Sequence, residues 1–357
     1  MPVVIEVDDD GIPSPTTRKN RGRRSEKKMQ DTDKLCEFPV GKSPNITVTF
    51  QDYKTLEHDI FLNDIIIDFY LTYLHENKLN KEDALNVYIF STMFYKRMLM
   101  QSPIKSSKDS FEKNPALSEA QKRHMRVRGW TKDVQLFSKD MIIIPICEHS
   151  HWYLVIVIKP GLITNAISSE ARRLKGEPFF IVLDSLGEAR TTSVNNVRSY
   201  LELEWKAKMV EEVDFSKKSM RTLWPIKPEQ HNNSDCGIYL LHYIEKIFGS
   251  VTHFYWPETV NTLNENWFPL EEVIFKRSNL AHLIRTLNEE QRMPGEPQVS
   301  WPHINFVDPS SPAGGRKKAD RKEIRQVRPS KNSMVKNNEK PPTSMVALIK
   351  TIIPLFC

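Results

Sequence analysis

Residues 230–248 read Gln-His-Asn-Asn-Ser-Asp-Cys-Gly-Ile-Tyr-Leu-Leu-His-Tyr-Ile-Glu-Lys-Ile-Phe. The polar run stops at Cys236, and the residues beyond it are apolar nearly all round a 3.6-residue period. A helix with that pattern is buried on every side. Ser234 and Asp235 are residue types that cap a helix start. Cys236 therefore opens a central helix, where free backbone N–H groups and the positive dipole end favour a thiolate. A lone cysteine is more often a small buried apolar side chain. The polar approach and the buried helix behind it set this one apart.

Upstream lie three near-continuous apolar runs, 141–146, 152–158 and 179–183. Runs of that length suit strands covered on both faces. A nucleophilic thiol needs a base, and His149 and His151 stand at the start of the second run. On a strand both point the same way, so the period alone does not choose between them. Asp184 ends the third run and leads into a turn, so adjacent strand ends would bring it to one of these histidines and orient the imidazole. Taken alone, Asp184 reads as a turn cap. Cys147, His149 and His151 would share one strand face, but no fourth ligand stands at a known spacing, so no metal and no cofactor are assigned.

Other patterned segments complete the domain. Residues 45–50 alternate as a short strand. Residues 63–75 carry Ile66, Phe69, Tyr70 and Tyr73 at helical spacing, with Asn63 and Asp64 where a cap belongs. Residues 87–100 read as a further helix, and 101–126 as a polar surface excursion. Helices on either side of a strand cluster make an α+β domain.

Composition divides the chain into a polar, disordered basic arm at 1–43, one domain at 44–292, and a disordered basic tail at 293–357. The net charge of +6 is too mild for a polycation. Four scattered cysteines without C-x-x-C pairing fit a reducing compartment rather than a disulfide scaffold. Residues 3–7 are too short for a signal-peptide core, no run approaches the ~18 apolar residues of a membrane span, and Cys357 is terminal, unlike the cysteine of a prenylation box. No membrane association is expected. The basic runs 18–28 and 316–331 lie in the tails without interleaved aromatics. They read as signals for a nuclear import receptor before they read as a nucleic-acid face. A chromatin or nucleic-acid binding protein working through those tails is the alternative from another class.

His151-Trp152, the Ile-Val-Leu-Asp184-Ser-Leu run and Gln230-His-Asn-Asn-Ser-Asp-Cys236-Gly237 together resemble the Ulp/SENP family of SUMO-specific cysteine proteases. Phe61-Leu62-Asn63-Asp64, residues 130–137 and Asn266-Trp267-Phe268-Pro269 extend the likeness across the domain. The resemblance implies a papain-like core with a central mixed sheet. It selects His151 as base, since the family's base directly precedes a tryptophan. It further implies Cys236 as nucleophile, Asp184 as orienting carboxylate and Gln230 as oxyanion-hole donor. Phe61 and Trp152 would wall a tunnel that admits a Gly-Gly tail, with Asn63 and Asp64 beside it as substrate-binding residues. The partners implied are SUMO and SUMO-conjugated proteins, the enzyme a monomer, and the compartment the nucleus or also the cytoplasm. Another ubiquitin-like modifier is the alternative substrate.

This sequence departs from the compact family members in several places. Phe61 stands where they carry tryptophan, and the stretch 159–178 is longer and more charged than they need. Both features resemble the branch that edits poly-SUMO chains. Gly129 precedes Trp130 where a basic residue is usual, and His231 replaces a commonly apolar residue. Val3-Val4-Ile5-Glu6-Val7-Asp8-Asp9-Asp10 resembles a SUMO-interaction motif, with Val4, Ile5 and Val7 adding a strand to an exposed sheet edge.

Overall fold

The computed structural model of the chain describes residues 29–101, 111–164, 176–209, 212–296 and 298–306. All of these fall in one compact unit, Met1–Ser311, and the second unit, Pro312–Cys357, lies outside the described residues. Both basic runs and Val4, Ile5 and Val7 lie outside them as well.

The elements run in chain order as β1 (Lys34–Phe38), β2 (Ile46–Thr49), α1 (Phe50–Lys54), α2 (Asp64–Lys78), α3 (Lys81–Asn86), β3 (Val87–Ile89), α4 (Met93–Leu99) and α5 (Glu119–Val127). Then come β4 (Met141–Glu148), β5 (His151–Ile158), β6 (Phe179–Leu183), α6 (Thr191–Met209), β7 (Arg221–Leu223) and α7 (Cys236–Phe248). Three helices close the unit: α8 (Pro257–Asn261), α9 (Leu270–Ile274) and α10 (Lys276–Gln291).

Strands β3 to β7 form a five-stranded sheet in sequence order. The sheet is mixed, because β3–β4 and β6–β7 are parallel while β4–β5 and β5–β6 are antiparallel. Alternation along β5 supplies both faces. Trp152, Leu154, Ile156 and Ile158 join the core that contains α2 and α7, whereas Tyr153, Val155 and Val157 join the core that contains α4, α5 and α6. A strand covered on both sides has no solvent face, which is why its sequence reads as one apolar run. Trimming any of these side chains to alanine would cost about 2–5 kcal/mol. The α+β fold with a central mixed sheet is thus present as expected.

Several local expectations are corrected. Residues 87–100 do not form one helix: Val87–Ile89 pairs in parallel with Met141–Ile143, and the helix begins at Met93. The Asp68 carboxylate of α2 accepts from the Thr92 N–H at 2.8 Å and so marks that helix start from outside the segment. The excursion 101–126 contains α5, opened by a capping box between Ser118 and Gln121. Strand 45–50 ends at Thr49, whose own capping box with Asp52 starts α1 at Phe50.

The packed unit also extends past 44–292 on both sides. Strand β1 pairs with β2 and is held to α10 by Asn288, which donates to the Leu35 carbonyl at 2.7 Å, and by Gln291 on both backbone groups of Glu37. A limit at 44 would cut this hairpin apart. At the other end Trp301 packs on Tyr53 with ring centroids 5.0 Å apart, and Ile304 is buried.

Candidate active site

His149 and Ser150 form the two-residue turn between β4 and β5, with φ of 52° and 61°. Left-handed conformation at both positions matches the twist of the flanking strands. His149 therefore sits in an exposed turn, off the strand, and the supposed common face of Cys147, His149 and His151 does not exist. His151 is the first residue of β5. Because Leu154 pairs with Leu183, the end of β6 lies beside the start of β5 and delivers Asp184 to the imidazole.

His151 Nε2 lies 2.9 Å from Asp184 Oδ1, and the imidazole also has a hydrogen bond with the Cys236 side chain. Burial pulls the imidazole towards the neutral form, but the hydrogen bonds and charges of Asp184 and Cys236 outweigh it and raise its pKa to about 9. Asp184 is almost fully buried. Burial pushes its pKa up, yet hydrogen bonds from His151, the Leu186 N–H and Arg190 hold it below the ordinary carboxylate value. Cys36 and Cys147 differ, since burial pushes their thiols up to about 12 and about 11. Both stay protonated near neutrality and do not compete as nucleophiles.

The start of α7 departs from expectation. Asp235 occupies the N-cap position but makes no side-chain cap bond. Its carboxylate accepts instead from Arg277, at 2.7 Å from Nη2, and from the Asn232 amide at 2.6 Å. Gln230 is buried, with its carbonyl accepting from the Ser185 hydroxyl at 2.6 Å and one amide N–H donating to the Asn232 carbonyl at 2.7 Å. The amide carries a second N–H.

Trp152 is buried, and its indole N–H donates to the Leu62 carbonyl at 2.9 Å. Phe61, next to Leu62 in the chain, is 45% exposed. Asn63 turns out to be the N-cap of α2: its carbonyl accepts from the Ile66 N–H at 3.1 Å and its amide donates to Asp52 at 2.7 Å. Each end of that side chain thus makes one hydrogen bond within the fold. Asp64 follows in the first turn, half-buried, near enough to Cys147 to help keep that thiol protonated.

Sequence reading missed Arg190. Its Nε donates to Asp184 Oδ2 at 2.5 Å, and its guanidinium lies 4.5 Å from the Tyr153 ring centroid. The backbone there is left-handed, with φ of 46°. No local sequence signal announces such a conformation at arginine, where it is uncommon.

A buried carboxylate bonded to an imidazole, which is in turn hydrogen-bonded to a thiol at the head of a central helix, is an arrangement able to activate that thiol as a nucleophile. The chain belongs to the Ulp1 protease family, whose C-terminal catalytic domain matches residues 60–277. Mouse Sentrin-specific protease 7 is 34% identical over 311 residues, covering 73% of this chain and 29% of the relative. Ubiquitin-like-specific protease 2 of Schizosaccharomyces pombe is 30% identical over 289 residues, covering 71% of this chain and 42% of the relative. This chain thus spans less than half the length of either. A crystal structure of a de-sumoylating protease shares the fold, with a TM-score of 0.53 at 22% identity over 73% of this chain and 93% of that one. Among the described residues, no helix is long and apolar enough to cross a membrane.

Proposed function

We propose that the protein is a thiol isopeptidase that removes SUMO from lysine side chains. The observation that carries this reading is the imidazole of His151 held between Asp184 and Cys236 in a chain of the Ulp1 protease family. In the reaction, Cys236 attacks the carbonyl carbon of the modifier's last glycine while His151 holds the thiol proton. The tetrahedral oxyanion takes hydrogen bonds from the Cys236 N–H and the second amide hydrogen of Gln230. Collapse expels the lysine amine, which receives its proton from His151 and leaves a thioester on Cys236. Water then attacks the thioester, giving up a proton to His151, and the thiol and the free modifier carboxylate are regenerated. Phe61 and Trp152 wall the approach, and a slot that narrow rejects any residue with a Cβ next to the scissile bond.

A preference for poly-SUMO chains is the finer part of the proposal. It is supported by Phe61 at the tunnel position, the long 159–178 stretch, the motif at Val4, Ile5 and Val7, and the likeness to Sentrin-specific protease 7. The basic runs 18–28 and 316–331 would engage an import receptor and direct the protein to the nucleus. The deciding experiment treats the protein with a panel of ubiquitin-like modifiers bearing C-terminal electrophiles. SUMO should form an adduct at Cys236 that Cys236→Ala abolishes. Labelling by a different modifier alone, or by none, would overturn the assignment.

A further inference from the structure

We infer that Arg277 is a positioning residue that holds the Phe61 wall against the head of the Cys236 helix. The inference rests on the proposed isopeptidase reading for its functional consequence, and on the geometry of one guanidinium for its substance. Arg277 lies in the first turn of α10, in a part of the fold that carries none of the expected catalytic side chains. Its side chain is 4% exposed.

Its hydrogen bonds go to two separate segments. On one side Nη1 donates to the carbonyls of Thr55 (3.2 Å) and Glu57 (3.0 Å), and Nη2 donates to that of Ile60 (2.8 Å). These belong to the irregular connection between α1 and α2, which carries Phe61. On the other side Nε and Nη2 both reach Asp235 Oδ1, at 3.0 and 2.7 Å, and Nη2 also approaches the Ser234 carbonyl at 3.4 Å. These belong to the loop that delivers Cys236. The segment is irregular and only partly buried; the Glu57 carbonyl also accepts from the Ile60 N–H at 3.2 Å, and without a helix or strand ladder the remaining carbonyls need a partner from elsewhere. A guanidinium, with five N–H donors in a rigid plane, serves both segments at once and fixes their separation. Lysine has three donors on a swivelling point charge and cannot reproduce that plane.

Two further contacts show that the spacing is tight. A Cβ built on Gly237 would stand 3.2 Å from Leu62 Cβ, and the Trp152 indole is bonded to the Leu62 carbonyl. Residues 60–62 are therefore held by three partners: Ile60 by Arg277, and Leu62 by Gly237 of α7 and by Trp152. Arg277 is the grip that also holds the residue preceding the nucleophile. Its loss removes the most extensive tie between wall and thiol and leaves the weaker ones, the Ser234 hydroxyl at 3.4 Å from Asp59 and the packing of Leu62 on Gly237.

The test uses the full chain with Arg277→Lys and Arg277→Met, a fluorogenic SUMO C-terminal conjugate, and iodoacetamide as a small probe of Cys236. Misplacement by ~1 Å costs on the order of a hundredfold, so kcat should fall about a hundredfold in Arg277→Met and about tenfold in Arg277→Lys. KM and the Cys236 alkylation rate should stay within about threefold of the parent, because SUMO's outer contacts and the thiol–imidazole pair are left in place. Hydrogen exchange of the 57–62 amides should accelerate while β4–β6 remain protected. Unchanged kcat in a folded variant overturns the inference, as does an alkylation rate that falls in step with kcat. Should the methionine variant fail to fold, the lysine variant decides by the same criteria. If the parent chain does not process SUMO, the isopeptidase reading fails, and exchange across 57–62 then decides alone: unchanged exchange overturns the clamp.

Discussion

Gly237→Ala gives a quantitative test of how the cleft is spaced. The added methyl would meet Leu62 Cβ at 3.2 Å, and Ile67 Cδ1 and Leu62 Cδ1 at 3.3 Å each. Gly237 is the second residue of its helix, so alanine gains less there than the ~1 kcal/mol of a helix interior, and overpacking a core site costs about 1–3 kcal/mol. The two partly offset, so the fold should lose no more than about 3 kcal/mol, a shift on the order of ten degrees in melting temperature at most. Activity has no such compensation. Leu62 must give by a few tenths of an ångström, and its carbonyl carries Trp152 while its neighbour is Phe61. If ~1 Å costs a hundredfold and the logarithm of the rate falls roughly linearly with displacement, a shift of about 0.3–0.5 Å costs about four- to tenfold in kcat/KM. The assay is steady-state cleavage of a SUMO conjugate, alongside calorimetry of the same preparation. A folded Gly237→Ala protein with parental kcat/KM would refute the idea that the Leu62–Gly237 contact sets the width of the cleft.

Cys236→Ala should leave only a trace of isopeptide cleavage while SUMO binding survives, since a nucleophile and base act as a unit; Cys147→Ala should keep most activity, as judged by conjugate cleavage on a gel. With the His151 pKa raised from 6.5 to about 9, kcat/KM should stay level through neutral pH and fall as pH rises through about 9. The same upward displacement means that the His151–Asp184 pair contributes its full stability below about pH 6.5 and loses it as pH climbs through 9, which thermal melts in a pH series would register. Arg190→Ala should lower kcat about tenfold or more with KM little changed, because Asp184 loses the donor on Oδ2 and the imidazole loses its fixed orientation; equal kcat would exclude a role for Arg190 in the reaction. Changing Val4, Ile5 and Val7 together to alanine should reduce the preference for tetra-SUMO over a mono-conjugate, since a tethered second contact works through effective concentration; an unchanged ratio would remove the motif from chain selection.

Where side chains bury without polar partners, the sequence was readable. The β4–β6 runs, α7 and the Asn63 start of α2 follow from periodicity and capping types alone. Illegibility has a common cause in buried charge. Helix α6 runs for 19 residues, yet Arg198 and Glu204 interrupt its apolar face. Arg198 is accommodated by the Phe215 carbonyl and the Phe180 ring, and Glu204 by His124 and Thr131. Partners so distant in sequence cannot be inferred from a local window. Arg190 and Arg277 were overlooked for the same reason. Strand β3 escaped because three residues flanked by aromatics fit either period. Strand β1 escaped because much of what orders it is bonded from α10. For the site, chain order and the local polar-to-apolar switch indicated Cys236, while the decision between His149 and His151 needed the family likeness. The turn conformation at His149 and Ser150 gives the physical reason for that outcome.

His151 and Asp184 are borne by the sheet, while Cys236 is borne by a helix laid across it. The proposed nucleophile and base are thus carried by different elements, joined by a layer of hydrocarbon to which Leu154 and Ile156 from β5 and Ile238 and Leu241 from α7 belong. The thickness of that layer acts as a gauge block for the sulfur-to-imidazole gap. Conservative exchanges deep in the interior, Ile for Val or Leu for Met, therefore become a means of tuning turnover without altering any reacting group.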